Sequence, residues 1–401
     1  MSWRVLHVHN RSNWGGNLEH LRLVLAGLGG DPAFELFLGA PANETYLERF
    51  RPLPVTLLPF EARSRGDAAA VVRLAHTVRG LGIRLVHSHL RRTDWICAWA
   101  RLLCPQTLWV TTVHGAVNLG PDYRRQPGLR SALYGLVLRR GFDRVLTVSH
   151  DLTRELCERE GVPPARVSTL VNGVEVVPAS VPGPQEKRDA RAGLGLQPDA
   201  PTLLMMGRFG RRKGHQVLLQ AAAREAMAGR PWQVLLLGDG DLEAECRQLA
   251  GELGLAEQVR FLGFQAQQLP FLRAADVIVV PSYSEGLPRA LLEGMVAGLA
   301  AVASDIGGVR EVLEAPRHGL VFPAGDVAAL AGHLERLWGS AELREALGRT
   351  ARTRVVEHYG SASLVRQHAD LYRELLGATP NAELDPARGL GAPATMPRRA
   401  P

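Results

Sequence analysis

Residues 276–294 read DVIVVPSYSEGLPRALLEG, and this stretch joins a strand-like run to a helix-like run through a loop that carries a glutamate. The run DVIVV is short, apolar and rich in β-branched residues, which is typical of a parallel strand covered on both faces. Pro288 suits the first turn of a helix, where no N–H is needed, and helix-forming residues follow it. The pattern therefore predicts Glu285 in the loop and Glu293 in the second turn of the helix.

The carboxyl end of a strand in an open α/β sheet is where such sheets bind ligands. Free N–H groups near Gly286 and Leu287 would attract a phosphate, whereas the carboxylates of Glu285 and Glu293 would accept hydrogen bonds from hydroxyls. A sugar nucleotide carries both kinds of group. The alternative is that Glu285 caps the helix and Glu293 is a solvated helix residue.

Strand-like and helix-like runs alternate along most of the chain. The strand-like runs are RVLHVHN, FELFLGA, RLVHSH, LWVTTVHG and DRVLTVS in the first half, and PTLLMMGR, WQVLLLGDG, VRFLGF, DVIVVPS, LAAVASD and GLVFPA in the second. This alternation predicts an α/β fold with two Rossmann-like, doubly wound domains that face a central cleft. We expect domains at residues 1–178 and 200–358, with a linker rich in proline and charge at 179–199.

The composition is that of an ordinary folded protein, since 46% of the 401 residues are hydrophobic and 22% are charged. No apolar run approaches the ~20 residues that cross a bilayer, and the chain starts directly as a strand without a signal peptide. A cytoplasmic location is therefore expected. The four cysteines have no metal-binding spacing, so we expect no metal site.

The formal net charge of +7 allows an anionic partner, which by charge alone fits nucleic acid, a membrane surface or a phosphorylated substrate. Only Lys187 and Lys213 are lysines among the 47 basic residues. Lys213 follows Arg208 by five positions in MMGRFGRRKGHQVLL, a loop between a predicted strand and a helix. A guanidinium and an ammonium suit different oxygens of a pyrophosphate, although a solvated basic loop is the alternative.

The run LLLGDGDLEAE offers two weaker patterns. Gly238 and Gly240 form only part of a dinucleotide-binding glycine fingerprint. Asp239 and Asp241 have the spacing of a metal-binding pair, but a helix N-cap after a tight turn is the better interpretation of Asp241.

In the first half, Gly15 and Gly16 precede a helix with an apolar leucine stripe, and two glycines let a ligand approach a helix N-terminus closely. A plain turn is the alternative. His114 ends a predicted strand at the cleft, where it is a candidate donor to a substrate oxygen or a structural histidine. His87 and His89 share one face of a strand, and we do not interpret them as metal ligands because the sequence shows no third ligand.

Taken in order, the glycine pair, TVHG, TVS, VNGV, GR-x4-KG, LLLGDG, E-x7-E and SDIGG resemble the retaining nucleotide-sugar glycosyltransferases of the GT-B fold, family 4. The likeness runs from about Val5 to about Leu376. It implies a final helix that crosses back onto the first domain, and SASLVRQHADLYRELL at 361–376 fits that helix. We therefore expect a crossover helix at 359–377 and a disordered tail at 378–401.

The resemblance also implies a role for each candidate in the second domain. Glu293 would hold the ribose hydroxyls of the donor, and Glu285 the hydroxyls of the transferred sugar. The amides near Gly286 and Leu287 would assist at the sugar and the phosphate.

Arg208 and Lys213 would bind the diphosphate and stabilise it as it leaves. From the first domain, His114 would touch the donor sugar, and Gly15 and Gly16 would lie near the phosphates and the acceptor.

The implied reaction is a metal-independent, retaining transfer of a sugar from a nucleotide-diphosphate donor to a hydroxyl acceptor, without a cofactor. Cell-envelope saccharide or glycolipid synthesis is the expected setting, with lipid-linked molecules among the acceptors and no nucleic acid partner. One position departs from the family pattern: a glutamate usually stands two residues after the glycine pair, whereas Leu18 stands there and Glu19 follows.

Two other functions fit the same motifs, a nucleotide-sugar epimerase of the GT-B fold and a non-catalytic sugar-nucleotide-binding protein. The intact set Arg208, Lys213, Glu285 and Glu293 argues against the second. An NAD dehydrogenase is disfavoured because neither glycine loop forms G-x-G-x-x-G.

Residues 91–144 mix arginines with tryptophans and tyrosines, a composition that suits peripheral association with an anionic membrane surface. The alternative is that Leu129, Leu133, Leu136 and Val137 form a stripe that faces the domain core. A soluble anionic acceptor would then be the partner of the arginines.

Overall fold

The computed structural model describes residues 2–10, 15–43, 47–115, 129–176, 181–230 and 232–377. Within them the chain forms two sheets, and every neighbouring pair of strands is parallel. The first sheet consists of β1 (Trp3–Val8), β2 (Phe34–Ala40), β3 (Thr56–Pro59), β4 (Leu85–Ser88), β5 (Leu108–Val113), β6 (Arg144–Thr147) and β7 (Val167–Thr169). Its order is β3-β2-β1-β4-β5-β6-β7.

The second sheet has the order β10-β9-β8-β11-β12-β13. Its strands are β8 (Thr202–Met206), β9 (Gln233–Leu237), β10 (Val259–Phe261), β11 (Val277–Val280), β12 (Ala300–Ser304) and β13 (Leu320–Phe322). In each sheet the connections change direction beside the first strand, between β1 and β4 and between β8 and β11. Such switch points open a crevice at the carboxyl ends of the strands.

Fourteen helices connect and flank these strands in the described part of the chain. They are α1 (Gly16–Leu28), α2 (Ala68–Gly80), α3 (Arg91–Leu103), α4 (Leu129–Gly141), α5 (His150–Arg159), α6 (Pro184–Gly193), α7 (His215–Met227), α8 (Glu243–Glu252), α9 (Leu269–Ala274), α10 (Arg289–Val296), α11 (Gly307–Val312), α12 (Val327–Trp338), α13 (Ala341–His358) and α14 (Ser361–Gly377).

The 276–294 stretch folds as a strand, a loop and a helix. All four residues of β11 are buried, as expected for a central parallel strand. The expectation for Pro288 is wrong by one position, because Pro288 is the N-cap of α10 and the first helical residue is Arg289. Glu293 lies in the second turn of α10, as predicted.

Helix α14 returns to the first domain and completes its core. Leu364 and Tyr372 are fully buried in the same apolar cluster as Val5 and Leu18. Helix α14 packs so closely on α1 that a Cβ at Gly27 would lie 2.3 Å from a methyl carbon of Val365. The crossover helix expected from the resemblance is therefore confirmed.

The predicted linker contains a helix of 10 residues. Helix α6 begins at Pro184, where the missing N–H costs nothing. Its buried Arg191 donates to the carboxylate of Asp276 at 2.6 Å, and Lys187 lies 3.1 Å from the same carboxylate. These ion pairs attach α6 to the start of β11 and therefore to the second domain.

Helices α3 and α4 expose apolar side chains on the first domain. Leu133 and Leu136 are 42% and 37% exposed, so the interpretation that they face the core is wrong, whereas Val137 is half-buried and packs against the core as predicted. Trp99 and Leu102 of α3 are also exposed, and α3 packs against α4. Residues 116–128 and the side chain of Leu129 lie outside the described part of the chain.

None of the described helices is long and apolar enough to span a membrane. The predicted tail, residues 378–401, lies outside the described residues.

Candidate functional site

A cavity of about 560 Å³ lies between the two switch points. Loops that follow β1, β4 and β5 form one wall, and loops that follow β8, β9 and β11 form the other. The nine predicted site residues come together here, with eight lining the cavity: Gly15, Gly16, His114, Arg208, Lys213, Glu285, Leu287 and Glu293.

The ninth residue, Gly286, packs against the first domain instead. A Cβ at this position would lie 2.4 Å from the carbonyl oxygen of His114 and 3.1 Å from a methyl carbon of Val148. The loop after β11 therefore approaches the first domain more closely than any side chain would allow.

Lys213 and Glu285 form the central ion pair of the cavity. The Lys213 ammonium lies 2.5 Å from the Glu285 carboxylate, which also accepts a hydrogen bond from Ser282 at 2.7 Å. Burial on its own would raise the pKa of Glu285. The positive charges of Lys213 and Arg212 and the two hydrogen bonds outweigh burial, and the pKa of Glu285 is lowered.

The loop geometry places Lys213 beside Glu285. Residues Arg211–Lys213 form a 3-10 turn, and Gly214 then adopts a left-handed conformation with φ of 73° at the start of α7. A Cβ at Gly214 would lie 2.0 Å from the carbonyl oxygen of Pro281, so only glycine fits between the two loops. The two switch-point loops of the second domain are packed together at this glycine.

Arg208 lines the same cavity and pairs with Asp241, whose carboxylate oxygens lie 3.2 and 3.3 Å from the guanidinium. The N-cap interpretation of Asp241 is wrong, because α8 begins at Glu243 and its N-cap is Leu242. The side chains of Arg208 and Asp241 are both exposed, so this ion pair is weak. Another anion could therefore replace Asp241 as the partner of Arg208.

Glu293 lies on the cavity side of α10 and pairs with Arg289 of the same helix. The Arg289 guanidinium donates to a Glu293 carboxylate oxygen at 3.0 Å. Burial raises the pKa of Glu293, and the nearby Glu19 carboxylate adds to that effect, whereas the charge of Arg289 opposes it.

His114 ends β5 at the cavity, with its ring 5.0 Å from that of His20. Burial lowers the pKa of His114 to about 3, and the positive charge of Arg289 contributes to this shift. The imidazole is therefore neutral near neutral pH. Its Nε2 is buried and has no hydrogen-bond partner among the described residues.

The glycine pair forms the start of α1, with Gly15 as the N-cap and Gly16 as the first helical residue. At the position where this chain departs from the family pattern, Leu18 is fully buried in the core. Glu19 lines the cavity instead, and Arg22 holds its carboxylate with hydrogen bonds of 2.9 and 2.6 Å.

A third histidine, which the sequence did not reveal, lies beside His87 and His89. Ring nitrogens of His7, His87 and His89 lie within 4.8 Å of one another, so the argument that no third ligand exists is wrong. His7 and His89 are hydrogen-bonded at 2.9 Å, and His87 bonds to Thr112 and Tyr372. The Tyr372 hydroxyl also lies 3.5 Å from Nε2 of His7, so the three rings are joined by a hydrogen-bonded network beside the cavity.

Other cavity residues escaped sequence reasoning. Asp94 accepts hydrogen bonds from Ser88, Thr111 and Tyr134, and burial raises its pKa to about 6. The guanidinium of Arg91 lies 4.3 Å above the ring of Tyr134. The segment that contains them mixes arginines with aromatic residues, which favours membrane contact, and no pattern in it points to a cavity.

Both halves of the chain match known families. Residues 186–354 match the family described as Glycosyl transferases group 1, and residues 20–177 match the one described as Glycosyltransferase Family 4.

Two curated relatives align over most of their length. The chain is 32% identical over 317 residues to D-inositol 3-phosphate glycosyltransferase 2 of Catenulispora acidiphila, which covers 72% of this chain and 70% of the relative. It is 26% identical over 324 residues to N-acetyl-alpha-D-glucosaminyl L-malate synthase of Bacillus anthracis, which covers 79% of this chain and 82% of the relative.

Among solved structures, Anabaena Alr3699/HepE in complex with UDP-glucose matches with a TM-score of 0.81 at 18% identity, over 92% of this chain and 99% of that chain. At this level of identity the match establishes a shared fold, which is the two-domain GT-B architecture.

Proposed function

The chain is a glycosyltransferase and belongs to the group 1 family, and from this premise we propose that it transfers a sugar, with retention, from a nucleoside diphosphate to a hydroxyl acceptor. One observation carries the proposal. Lys213, Glu285 and Glu293 face a single cavity at the switch point of the second sheet. Cations there suit a diphosphate, and carboxylates suit sugar hydroxyls.

We infer that Lys213 is the main stabiliser of the leaving group. Cleavage of the anomeric bond builds negative charge on the diphosphate, and a preorganised ammonium stabilises that charge most in the transition state. An ammonium has three N–H donors, so Lys213 can keep its bond to Glu285 while it binds phosphate. Arg208 would exchange the exposed Asp241 for a second phosphate oxygen.

Glu285 would accept hydrogen bonds from the transferred sugar, and its lowered pKa keeps it an acceptor. Neutral His114 would donate to a sugar oxygen without adding charge. The N-terminus of α10 beside Leu287 would add the partial positive charge of a helix end. The acceptor hydroxyl would attack on the face that the diphosphate leaves, and a phosphate oxygen would take its proton.

A thermal-shift panel of UDP-, GDP- and ADP-sugars tests the donor site. A donor at 100 times its dissociation constant should stabilise the protein by ~2.7 kcal/mol, and no stabilisation by any of them would overturn the proposal. Donor consumption without acceptor, with release of a different sugar, would instead identify an epimerase.

We further propose that the reaction needs no metal ion, because side chains supply the cations at the diphosphate. Activity should survive excess EDTA. If activity disappeared and returned with Mn²⁺, Asp239, which lines the cavity, would become the first candidate ligand.

We also propose that the exposed face of α3 and α4 contacts an anionic membrane from the cytoplasmic side, where a lipid-linked acceptor would be presented. Trp99 and Leu102 are 50% and 70% exposed, and Arg92 and Arg140 are exposed on the same helices. Aromatic and apolar side chains suit the interface, and each arginine near anionic lipid contributes ~1 kcal/mol.

Sedimentation with phosphatidylglycerol vesicles tests this surface. The protein should sediment with them at low salt, less so at high salt, and not with phosphatidylcholine vesicles. A Trp99→Ser, Leu102→Ser variant should lose binding, whereas Met227→Ser, which removes an exposed apolar side chain from the second domain, should not. If wild type and the double variant sedimented equally with phosphatidylglycerol vesicles, this surface would not be the membrane contact and a soluble acceptor would be favoured.

A further inference from the structure

Arg289 is the first residue of α10 and is nearly buried between the two domains, with 8% of its surface exposed. It lines the cavity beside Glu293. Buried arginines are rare unless their guanidinium groups are paired, so each contact of this side chain is informative.

One end of the Arg289 guanidinium binds a residue of the second domain. Its Nη2 donates to Glu293 Oε1 at 3.0 Å, across one turn of α10. Burial raises the pKa of Glu293, and the charge and hydrogen bond of Arg289 oppose that rise. Arg289 therefore fixes the orientation of Glu293 and favours its ionised form.

The other end of the same guanidinium binds a residue of the first domain. Its Nη1 donates to the carbonyl oxygen of Gly173 at 2.7 Å, in the segment that follows β7. The stem of Arg289 also packs on the glycine pair, since a Cβ at Gly16 would lie 3.2 Å from its Cδ. A guanidinium is planar, so the two bonds fix each other's direction.

We propose that Arg289 is a positioning residue that couples binding of the donor's ribose to closure of the cleft. The inference rests on the proposed function, in which Glu293 holds the ribose hydroxyls. A ribose bound to Glu293 steadies Arg289 in the orientation that reaches Gly173, and closure of the domains steadies Glu293 in return. Such coupling is reciprocal by thermodynamic necessity.

The ligand class is therefore a ribonucleoside diphosphate whose ribose 2′-hydroxyl donates a hydrogen bond to the Glu293 carboxylate. A site built to hydrogen-bond a hydroxyl penalises an analogue that lacks it, because the buried carboxylate is left unpaired. Substitution of Arg289 should weaken this discrimination without any direct contact between Arg289 and the ribose.

Dissociation constants for UDP, GDP and ADP, and for the 2′-deoxy form of the one that binds best, give the first readout. Wild type should bind the ribose form roughly tenfold or more tightly than the deoxy form. Glu293→Ala and Arg289→Gln should both bring this ratio close to one. Arg247→Gln, which breaks an exposed Arg–Glu pair four residues apart on α8, should keep the full ratio.

Small-angle scattering gives the second readout. The same nucleotide should reduce the radius of gyration of wild type and of Arg247→Gln, but not that of Arg289→Gln. Arg289→Lys separates the two roles, because an ammonium can still pair with Glu293 but lacks the planar fork. It should keep the ribose-to-deoxy ratio and lose most of the compaction.

The outcomes distinguish this inference from the proposed function. Suppose that Arg289→Gln keeps the wild-type preference for the ribose nucleotide over the deoxy form and that Glu293→Ala loses it. This result would overturn the role of Arg289 and leave the donor site intact. If Glu293→Ala keeps the wild-type preference for the ribose nucleotide, the assignment of Glu293 to the ribose hydroxyls is overturned. Absence of binding of all three nucleotides to wild type would overturn the proposed function.

Discussion

Lys213 is one of two lysines in the chain, and its ammonium reaches the buried carboxylate of Glu285. At the residue scale, the proposed reaction would depend on this pair more than the stability of the fold does. A buried ion pair contributes little to the net free energy of folding because both charged groups lose their hydration. It does hold an ammonium in place before the diphosphate arrives.

We predict that Lys213→Ala lowers kcat by roughly a hundredfold or more, the scale observed when one preorganised donor to a developing charge is removed. The variant also leaves Glu285 buried without its strongest partner, so the pKa of Glu285 should rise. Steady-state kinetics as a function of pH would detect both changes. Near-normal turnover would exclude Lys213 from leaving-group stabilisation.

Gly286→Ala should lower kcat by roughly a hundredfold with little change in thermal stability. The added Cβ would collide with the carbonyl oxygen of His114, which belongs to the other domain. The domains can relieve the collision by separating, but a displacement of about 1 Å at a reaction centre is costly. Gly251→Ala on α8 is the control, since a Cβ there meets nothing within 4 Å. Wild-type kcat in Gly286→Ala would show that closure does not bring these groups together.

The sequence predicted the cavity residues that lie within one local unit and missed those whose partners are distant in sequence. Glu285 and Glu293 were found because both lie within one strand-loop-helix unit. Arg289 lies inside that unit, but its second partner, Gly173, is 116 residues away. His7 was missed for the same reason, since its neighbours lie on another strand.

At the element scale, the sequence predicted all six strands of the second sheet and the central strands of the first, but not the two edge strands of the first sheet. The runs predicted as strands appear in the two sheets, where burial on both faces imposes continuous apolar sequence. Strands β3 and β7 are short, lie at the edges of the first sheet and are mostly half-exposed. Helix α6 was read as a linker because its surface is charged and its attachment depends on ion pairs.

The attachment of α6 provides a prediction. Asp276→Ala should lower the free energy of unfolding by about 3–5 kcal/mol, because it leaves Arg191 buried without its carboxylate. It also removes the acceptor of the Thr202 amide. Asp305→Ala, which breaks an exposed pair with Arg310, should cost less than about 1 kcal/mol. Equal urea-unfolding curves for the two variants would contradict this account.

At the scale of the whole molecule, six histidines meet in the first domain at and beside the cavity, five of them buried and one, His114, half-buried. They come from β1, α1, β4, the loop after β4, the loop after β5, and α14, and they are His7, His20, His87, His89, His114 and His368. Burial lowers the pKa of each, to about 3 for His7 and to about 4 for His368. All six are neutral at neutral pH.

We predict that the protein loses stability as the pH falls below about 6.5. The unfolded state binds protons on these histidines at that pH, whereas burial lowers their pKa values in the folded state, to about 3 for His7 and about 4 for His368, so acid favours unfolding. Each histidine contributes up to about 1.4 kcal/mol per pH unit. Asp94 and Glu293, whose pKa values are raised, oppose this trend but are outnumbered.

Urea unfolding near pH 8 and near pH 5.5, with both values about one unit or more from the histidine pKa of ~6.5, measures this effect. The free energy of unfolding should fall by several kcal/mol. An unchanged value, or a higher one at the acidic pH, would show that the cluster is already protonated in the folded state.

Helix α14 has a consequence for the order in which the protein is made. The first domain needs Leu364, Tyr372 and Leu375 for its core, and the ribosome supplies them after the whole second domain. Translation proceeds at ~5–20 residues per second, so about 10–40 s separate the end of the first domain's own segment from the arrival of α14. During that interval α1 can pack on the first sheet, but the side of α1 that contacts α14 in the complete chain is left uncovered by it. The first domain to be synthesised is therefore the last to be completed, and expressed alone it would lack part of its core.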